Sequence, residues 1–258
     1  MVSDPRSWIA ALRGSQTRLR VLVGSLAPDD LVTASYAHEW TVAQVLSHLG
    51  SQAEIFQLFL DAALSGRQPP GNEVFAPVWD AWNQRRPDEQ ARDCLEFNDA
   101  FIARIDALSD DTLRAPITVF GMDVTVGDLA RMRVSEHAVH SWDVAVVFNP
   151  AAQVAPDAVT LMIDTLTQLV AWAGKPQGRA FALRIHTSAP ERDFALAVHD
   201  RVELQPFSGQ AVTGSLDLPA EALLRLVYGR LDAEHAPPIE LASDDVTLDD
   251  LRQVFAGF

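Results

Sequence analysis

The stretch Ser135-Glu136-His137-Ala138-Val139-His140-Ser141-Trp142-Asp143 decides how this chain is read. It lies within a segment of helical spacing that runs through Leu129, Met132, Val139 and Val146. Residues four apart in a helix project from one side, so Glu136 and His140 point together. The apolar stripe shares that side. A carboxylate turned toward a core is costly unless it is paired, protonated or bound to a metal. Two readings stand. Either Glu136 and His140 are two ligands of an ion, or Glu136 is a buried ion-pair partner of His140 or of an arginine. The metal reading needs a third ligand from another helix. His48, in Val45-Leu46-Ser47-His48-Leu49, is the best candidate. His137 projects about 100° away from Glu136 and would serve only in another register. Asp143, three residues past His140, is either a carboxylate that orients a ligating histidine or a paired helix residue.

Outward from this segment, the first half of the chain reads as long amphipathic helices. Ser3-Asp4-Pro5 is a start signal for a helix that reaches about Leu26. Thr41 caps a second long helix ending near Ser65-Gly66, with Leu46, Leu49, Ala53, Phe56 and Leu60 as its stripe. His48 lies beside that stripe, with Val45, Gln52 and Ile55 along the same edge. A third long helix opens at Pro87-Asp88-Glu89. Ile117 to Val124 alternates around Gly121 as a small hairpin or extended loop. Thr125, with Asp128 three residues on, caps the helix that carries the motif. Another helix spans Pro156 to Ala173. Four or five such helices with short connections predict an up-and-down bundle.

Near residue 176 the pattern changes to period two. Phe181, Leu183 and Ile185 alternate with Ala182, Arg184 and His186, and Phe194, Leu196 and Val198 follow in the same way. Further strands fit Val202–Gln205 and Ala211–Leu216, and helices fit Pro219–Leu231 and Val246–Phe255. The fold class expected is mainly α plus α+β. Residues 1–175 form a helical bundle, and residues 176–258 form a small α+β domain with an antiparallel sheet.

Composition excludes several functions. The net charge of -15 argues against binding to a phosphate backbone. A single cysteine, Cys94, permits no intrachain disulfide and fits a reducing cytoplasm. It reads as a buried, inert thiol. No leader pattern and no apolar run long enough for a membrane span stand out. Gly-x-Ser-x-Gly, a glycine-rich phosphate loop and a Schiff-base lysine are all missing. A nucleophile would have to come from metal-bound water or an added thiol. His38 and His235 read as loop residues, and His186 and His199 as polar strand residues, possible neighbours across a sheet. Trp79, Trp82 and Trp172 read as packing residues.

Two segments resemble a known family. Glu39-Trp40-Thr41-Val42-Ala43-Gln44-Val45-Leu46-Ser47-His48-Leu49 is similar to the Trp-Thr-Val…His-Leu signature of mycothiol-dependent maleylpyruvate isomerases and their relatives. Arg133-Val134-Ser135-Glu136-His137-Ala138-Val139-His140-Ser141-Trp142-Asp143 resembles their second signature, Glu-x-x-x-His followed by Trp-Asp. The resemblance implies a DinB-like metal-binding four-helix bundle with His48, Glu136 and His140 as ligands of a divalent metal, usually zinc. The segment Ala222-Leu223-Leu224-Arg225-Leu226-Val227-Tyr228-Gly229-Arg230-Leu231 is similar to part of the sterol-carrier-like domain that follows the bundle. Mycothiol is the implied cofactor. Its thiolate adds to the cis double bond of maleylpyruvate, the adduct rotates, and elimination gives the trans isomer. An arginine of the C-terminal domain handles the anionic substrate, and Arg230 is the candidate; the plain alternative is a helix-end arginine favoured by the dipole. Mycothiol S-transferases share the bundle. The implied partners are a small thiol and a small electrophile. Two rivals remain: a non-catalytic module that binds a ligand or partner, and a metal hydrolase with Asp143 as its general base.

Overall fold

The computed structural model describes residues 4–257. The chain divides into two compact units, Met1–Ala152 and Gln153–Phe258. The expected boundary near residue 176 therefore lies later than the observed division. The helical stretch from Pro156 packs onto the sheet and helices that follow it in its own unit.

The first unit is built on α1 (Pro5–Gly24), α2 (Val42–Ser65), α4 (Pro87–Asp106) and α6 (Asp128–Phe148). Shorter elements join them: α3 (Asn72–Asn83), α5 (Asp110–Leu113) and a hairpin of β1 (Pro116–Val119) and β2 (Met122–Thr125). Both α1 and α2 pack against both α4 and α6, which closes a ring around one core. Leu12, Leu19, Leu46, Leu49, Phe101, Leu129 and Val134 are fully buried there.

Local chemistry sets the helix ends. Asp4 accepts from the Arg6 amide at the start of α1. Thr41 and Gln44 form a reciprocal capping box at the start of α2, which fixes where His48 falls. Gly66 adopts φ 65° and closes that helix in the left-handed conformation. At α6 the expected cap is only half present. The Thr125 amide and hydroxyl donate to Asp128, and Gly127 occupies the cap position.

The second unit contains α7 (Pro156–Met162), α8 (Leu166–Ala173), β3 (Phe181–Ser188), β4 (Arg192–Val198), β5 (Val202–Pro206), β6 (Gly214–Pro219), α9 (Ala220–Val227), β7 (Glu240–Ala242) and α10 (Leu248–Val254). One helix was expected over Pro156–Ala173. A 3-10 turn at Ile163–Thr165 interrupts it. The described strands form a sheet of order β5-β4-β3-β6-β7. The expected antiparallel sheet is mixed: β3 and β6 run parallel. The meander β3-β4-β5 ends on one edge, and the chain then crosses to the far side of β3 without reversing direction. Period two reports which face a residue takes and carries no information on strand direction. His186 lies opposite Asp193, whereas His199 lies just past Val198, at the other end of the β3–β4 ladder. The two histidines are not neighbours. Trp82 is fully buried as expected, but Trp79 is 45% exposed and Trp172 is 77% exposed, so neither is a core residue. No described helix is long and apolar enough to cross a membrane.

Candidate metal centre

The three residues singled out by sequence meet at one point. Nitrogen and oxygen atoms of His48, Glu136 and His140 all lie within 4.8 Å of one another. His48 Nε2 is 3.0 Å from Glu136 Oε2, and His140 Nε2 is 3.5 Å from the same oxygen. The imidazole rings meet edge to face, with centroids 4.7 Å apart. Metal–ligand bonds of about 2.0–2.1 Å in a tetrahedral site place ligand atoms roughly 3.3 Å apart. The two separations to the Glu136 oxygen bracket that spacing. Two imidazoles and one carboxylate are a donor set suited to zinc and similar divalent ions.

The helices explain the convergence. His48 sits in the second turn of α2, and Glu136 and His140 are one turn apart on α6, which packs on α2. Asp143 lies fully buried a further turn along. His140 Nδ1 donates to Asp143 Oδ2 at 2.9 Å, which leaves Nε2 turned to the trio. Of the two readings of Asp143, orientation of a histidine is the one this geometry matches. Glu136 is less enclosed than expected: its side chain is 34% exposed, so the trio opens toward solvent on the carboxylate side. Trp40 borders both imidazoles, with its ring 5.0 Å from His48 and 6.1 Å from His140.

The titrating groups pull one another apart. Burial raises the Glu136 pKa, but hydrogen bonds from His140 and His48 and their charges outweigh it and hold the carboxyl well below its usual range. Burial depresses His140, yet its hydrogen bonds to Asp143 and Glu136 push it up to about 9. Burial keeps His48 below its ordinary value, helped by the neighbouring His140 charge and opposed by the hydrogen bond to Glu136.

A second layer was not assigned any role from sequence. Gln52, one turn after His48, donates from Nε2 to Glu136 Oε2 at 2.8 Å and lies 2.9 Å from His48 Nε2. Its Oε1 accepts from Arg133 Nη1. Arg133 is fully buried, and its Nη2 donates to Leu49 O at 3.0 Å and to Asn98 Oδ1 at 2.8 Å. His137 belongs to this layer and not to the trio. Its Nε2 donates to Asn98 Oδ1 at 2.8 Å, and burial together with the Arg133 charge drives its pKa well down. The signal for Gln52 and Arg133 was present: they stand four after His48 and three before Glu136, so each shares a side with a ligand. Asn98 gave no comparable signal. Cys94 is buried as expected, and burial pushes its thiol up to about 12. Arg230 follows α9 in the second unit, where it donates to Tyr228 O at 2.7 Å.

The family model described as the mycothiol maleylpyruvate isomerase N-terminal domain matches residues 12–145, a span that contains the trio. No curated protein matches the chain in sequence. Among solved structures, the crystal structure of the mycothiol-dependent maleylpyruvate isomerase is similar at TM-score 0.67 and 12% identity, covering 91% of this chain and 95% of that one. A crystal structure of a histidine-to-alanine mutant of the mycothiol-dependent maleylpyruvate isomerase gives the same values. At this identity the likeness establishes the fold.

Proposed function

The chain belongs to the mycothiol maleylpyruvate isomerase N-terminal domain family, and from that premise we propose that it is a divalent-metal-dependent enzyme that directs a small thiol at an electrophilic small molecule. Zinc is the proposed ion and mycothiol the proposed thiol. The observation that carries this reading is the convergence of His48, Glu136 and His140 at ligand spacing. A divalent ion held there supplies the positive charge that keeps a thiol ionised near neutral pH.

The chain's own residues prepare that chemistry. His48, Glu136 and His140 would hold the ion, and three protein ligands would leave room for the thiol. Asp143 holds the proton on His140 Nδ1, so Nε2 offers its lone pair. Gln52 fixes the Glu136 carboxylate. The hydrolase alternative is weaker on this geometry. Asp143 is fully buried and engaged by His140 Nδ1, on the opposite edge of the ring from Nε2, where it orients the imidazole.

Within the family reading we favour an S-transferase acting on neutral electrophiles over a maleylpyruvate isomerase. An isomerase must hold a dianion, and Arg230 is the residue proposed to do so. Charge-assisted bidentate bonds to a carboxylate are a task for arginine that lysine does not reproduce. A cytoplasmic site of action fits the lone buried cysteine, and the acidic balance fits a small-molecule partner instead of nucleic acid.

Elemental analysis of protein purified without added metal tests the site: about one ion per chain is expected. His48→Ala should remain folded and lose the ion; undiminished metal would remove His48 from the ligand set. Maleylpyruvate and a neutral electrophile, each offered with mycothiol and zinc, then separate the activities. Turnover of the neutral compound alone supports the transferase. Turnover of maleylpyruvate that collapses in Arg230→Lys supports the isomerase. Turnover of neither supports a non-catalytic binding module.

A further inference from the structure

Gln52 presents its amide to the same two atoms that would hold the ion. Nε2 lies 2.8 Å from Glu136 Oε2 and 2.9 Å from His48 Nε2. A glutamine in this place has two faces for a metal. Turned one way it offers a carbonyl oxygen, a competent ligand for a divalent ion; turned the other way it offers only N–H groups, which cannot ligate. Arg133 decides between them. Its guanidinium donates to Gln52 Oε1 and has only donors to offer. Turning the amide over would press the Gln52 NH2 group against a buried cation and leave that group and Arg133 Nη1 without an acceptor.

Arg133 itself has little freedom. It is fully buried and fixed by Leu49 O on α2 and Asn98 Oδ1 on α4. Asn98 is held in its own orientation because its Nδ2 donates to Cys94 O at 2.8 Å and its Oδ1 accepts from His137. All three acceptors of the guanidinium are neutral carbonyl oxygens, and no carboxylate lies within ion-pair distance among the described residues. A buried cation with no carboxylate in direct contact is costly for the fold; the Glu136 charge offsets part of that cost, and the Gln52 amide stands between the two.

We propose that Arg133 is a positioning residue that locks the Gln52 amide with its nitrogen toward the ion, denying the metal a fourth protein ligand and so keeping a coordination position for the thiol. This rests on the metal–thiol reading given above.

The test uses full-length protein loaded with cobalt(II), with 2-mercaptoethanol as the probe thiol. Thiolate coordination is read from the thiolate-to-cobalt absorption band, and ion affinity from competition with a chelator. Arg133→Met frees the Gln52 amide to turn. Cobalt should be held at least as tightly, and thiol affinity should fall roughly tenfold or more, the scale on which outer partners tune such sites. The double variant Arg133→Met with Gln52→Leu removes the competing oxygen and should restore the thiol band, whereas a merely structural role for Arg133 predicts no rescue. Gln52→Glu leaves the buried cation in place and turns an oxygen toward the ion, so it should match Arg133→Met even if that variant fails to fold. Gln52→Leu alone offers the ion no oxygen but gives up the hydrogen bond to Glu136, so its thiol affinity should fall less than that of Arg133→Met. Wild-type thiol affinity in Gln52→Glu, an unrescued double variant, or a loss in Gln52→Leu as deep as in Arg133→Met would overturn the lock. Wild-type protein that takes up no cobalt would overturn the metal reading itself, and this inference with it; cobalt uptake with thiol binding but without the variant pattern would overturn the lock alone.

Discussion

At the scale of single residues, His140 carries the clearest consequence. Its pKa is pushed up to about 9 in the metal-free protein, with burial outweighed by Asp143 and Glu136. It is therefore protonated at neutral pH, and an ion that takes its Nε2 must displace that proton. Titration of the apo-protein with zinc at pH 7 in dilute buffer should release close to one proton per ion. Binding should weaken about tenfold for each pH unit below about 9 over the range where that proton is displaced. Uptake without proton release would show that His140 is not a ligand. The same group affects stability in the absence of metal. Its folded pKa lies above the unfolded value of about 6.5, so its contribution is fully present below that value and is lost as pH rises through about 9. Apo-protein should therefore melt at progressively lower temperature between about pH 7 and pH 9, and saturating zinc should remove that slope. Sequence spacing tied Glu136 to His140 because they share one helix. It could not tie either to His48, since 88 residues separate His48 from Glu136 and only helix packing brings them together. Spacing puts Arg133 on the side of Glu136, but its burial is not legible, since an arginine in a helix is ordinarily solvated and nothing local marks this one as fully buried.

At the scale of elements, α2 sets the site because it carries His48 and Gln52 and packs on α3, α4 and α6. Its contact with α3 depends on Gly50, where an added Cβ would overlap the ring of Trp82. That ring cannot easily retreat. It is fully buried, donates to Glu54 at 2.8 Å and lies under the Arg85 guanidinium at 3.7 Å. Alanine favours a helix over glycine by about 1 kcal/mol, but overpacking a core costs typically about 1–3 kcal/mol. Gly50→Ala should therefore be destabilised in urea unfolding despite the better helix former. A gain in stability would show that Trp82 has room to move. The helix limits were readable because capping chemistry is local: Asp4-Pro5, Thr41 and Ser65-Gly66 each mark an end that the structure keeps. The break at Ile163–Thr165 was not readable, since no glycine or proline marks it. The direction of β6 and the three-residue strand β7 were equally silent, because strand pairing is decided by chain crossings that leave no periodic trace.

At the scale of the whole molecule, the net charge of -15 acts on anything that approaches from solvent. It is a long-range field, set by 35 acidic against 20 basic residues, and it repels anions wherever local cations do not intervene. A dicarboxylate substrate and a neutral electrophile therefore experience different molecules. At about 0.01 M salt the Debye length is roughly 30 Å, comparable to the size of the protein; at about 0.15 M it is roughly 8 Å. Raising salt across that range screens the global repulsion while leaving contacts at the metal centre less affected. For an anionic substrate, kcat/KM should rise with ionic strength, because capture becomes easier while the bound complex changes little. For a neutral electrophile it should stay flat. The control is the Arg230→Lys variant, which keeps the net charge and so should keep the salt slope whatever it does to kcat. A kcat/KM for maleylpyruvate that falls with salt would mean that a local positive field, from the ion and nearby arginines, reaches past the acidic surface and steers the dianion in. That outcome would favour the isomerase over the transferase, since such steering serves an anionic substrate and offers a neutral one nothing.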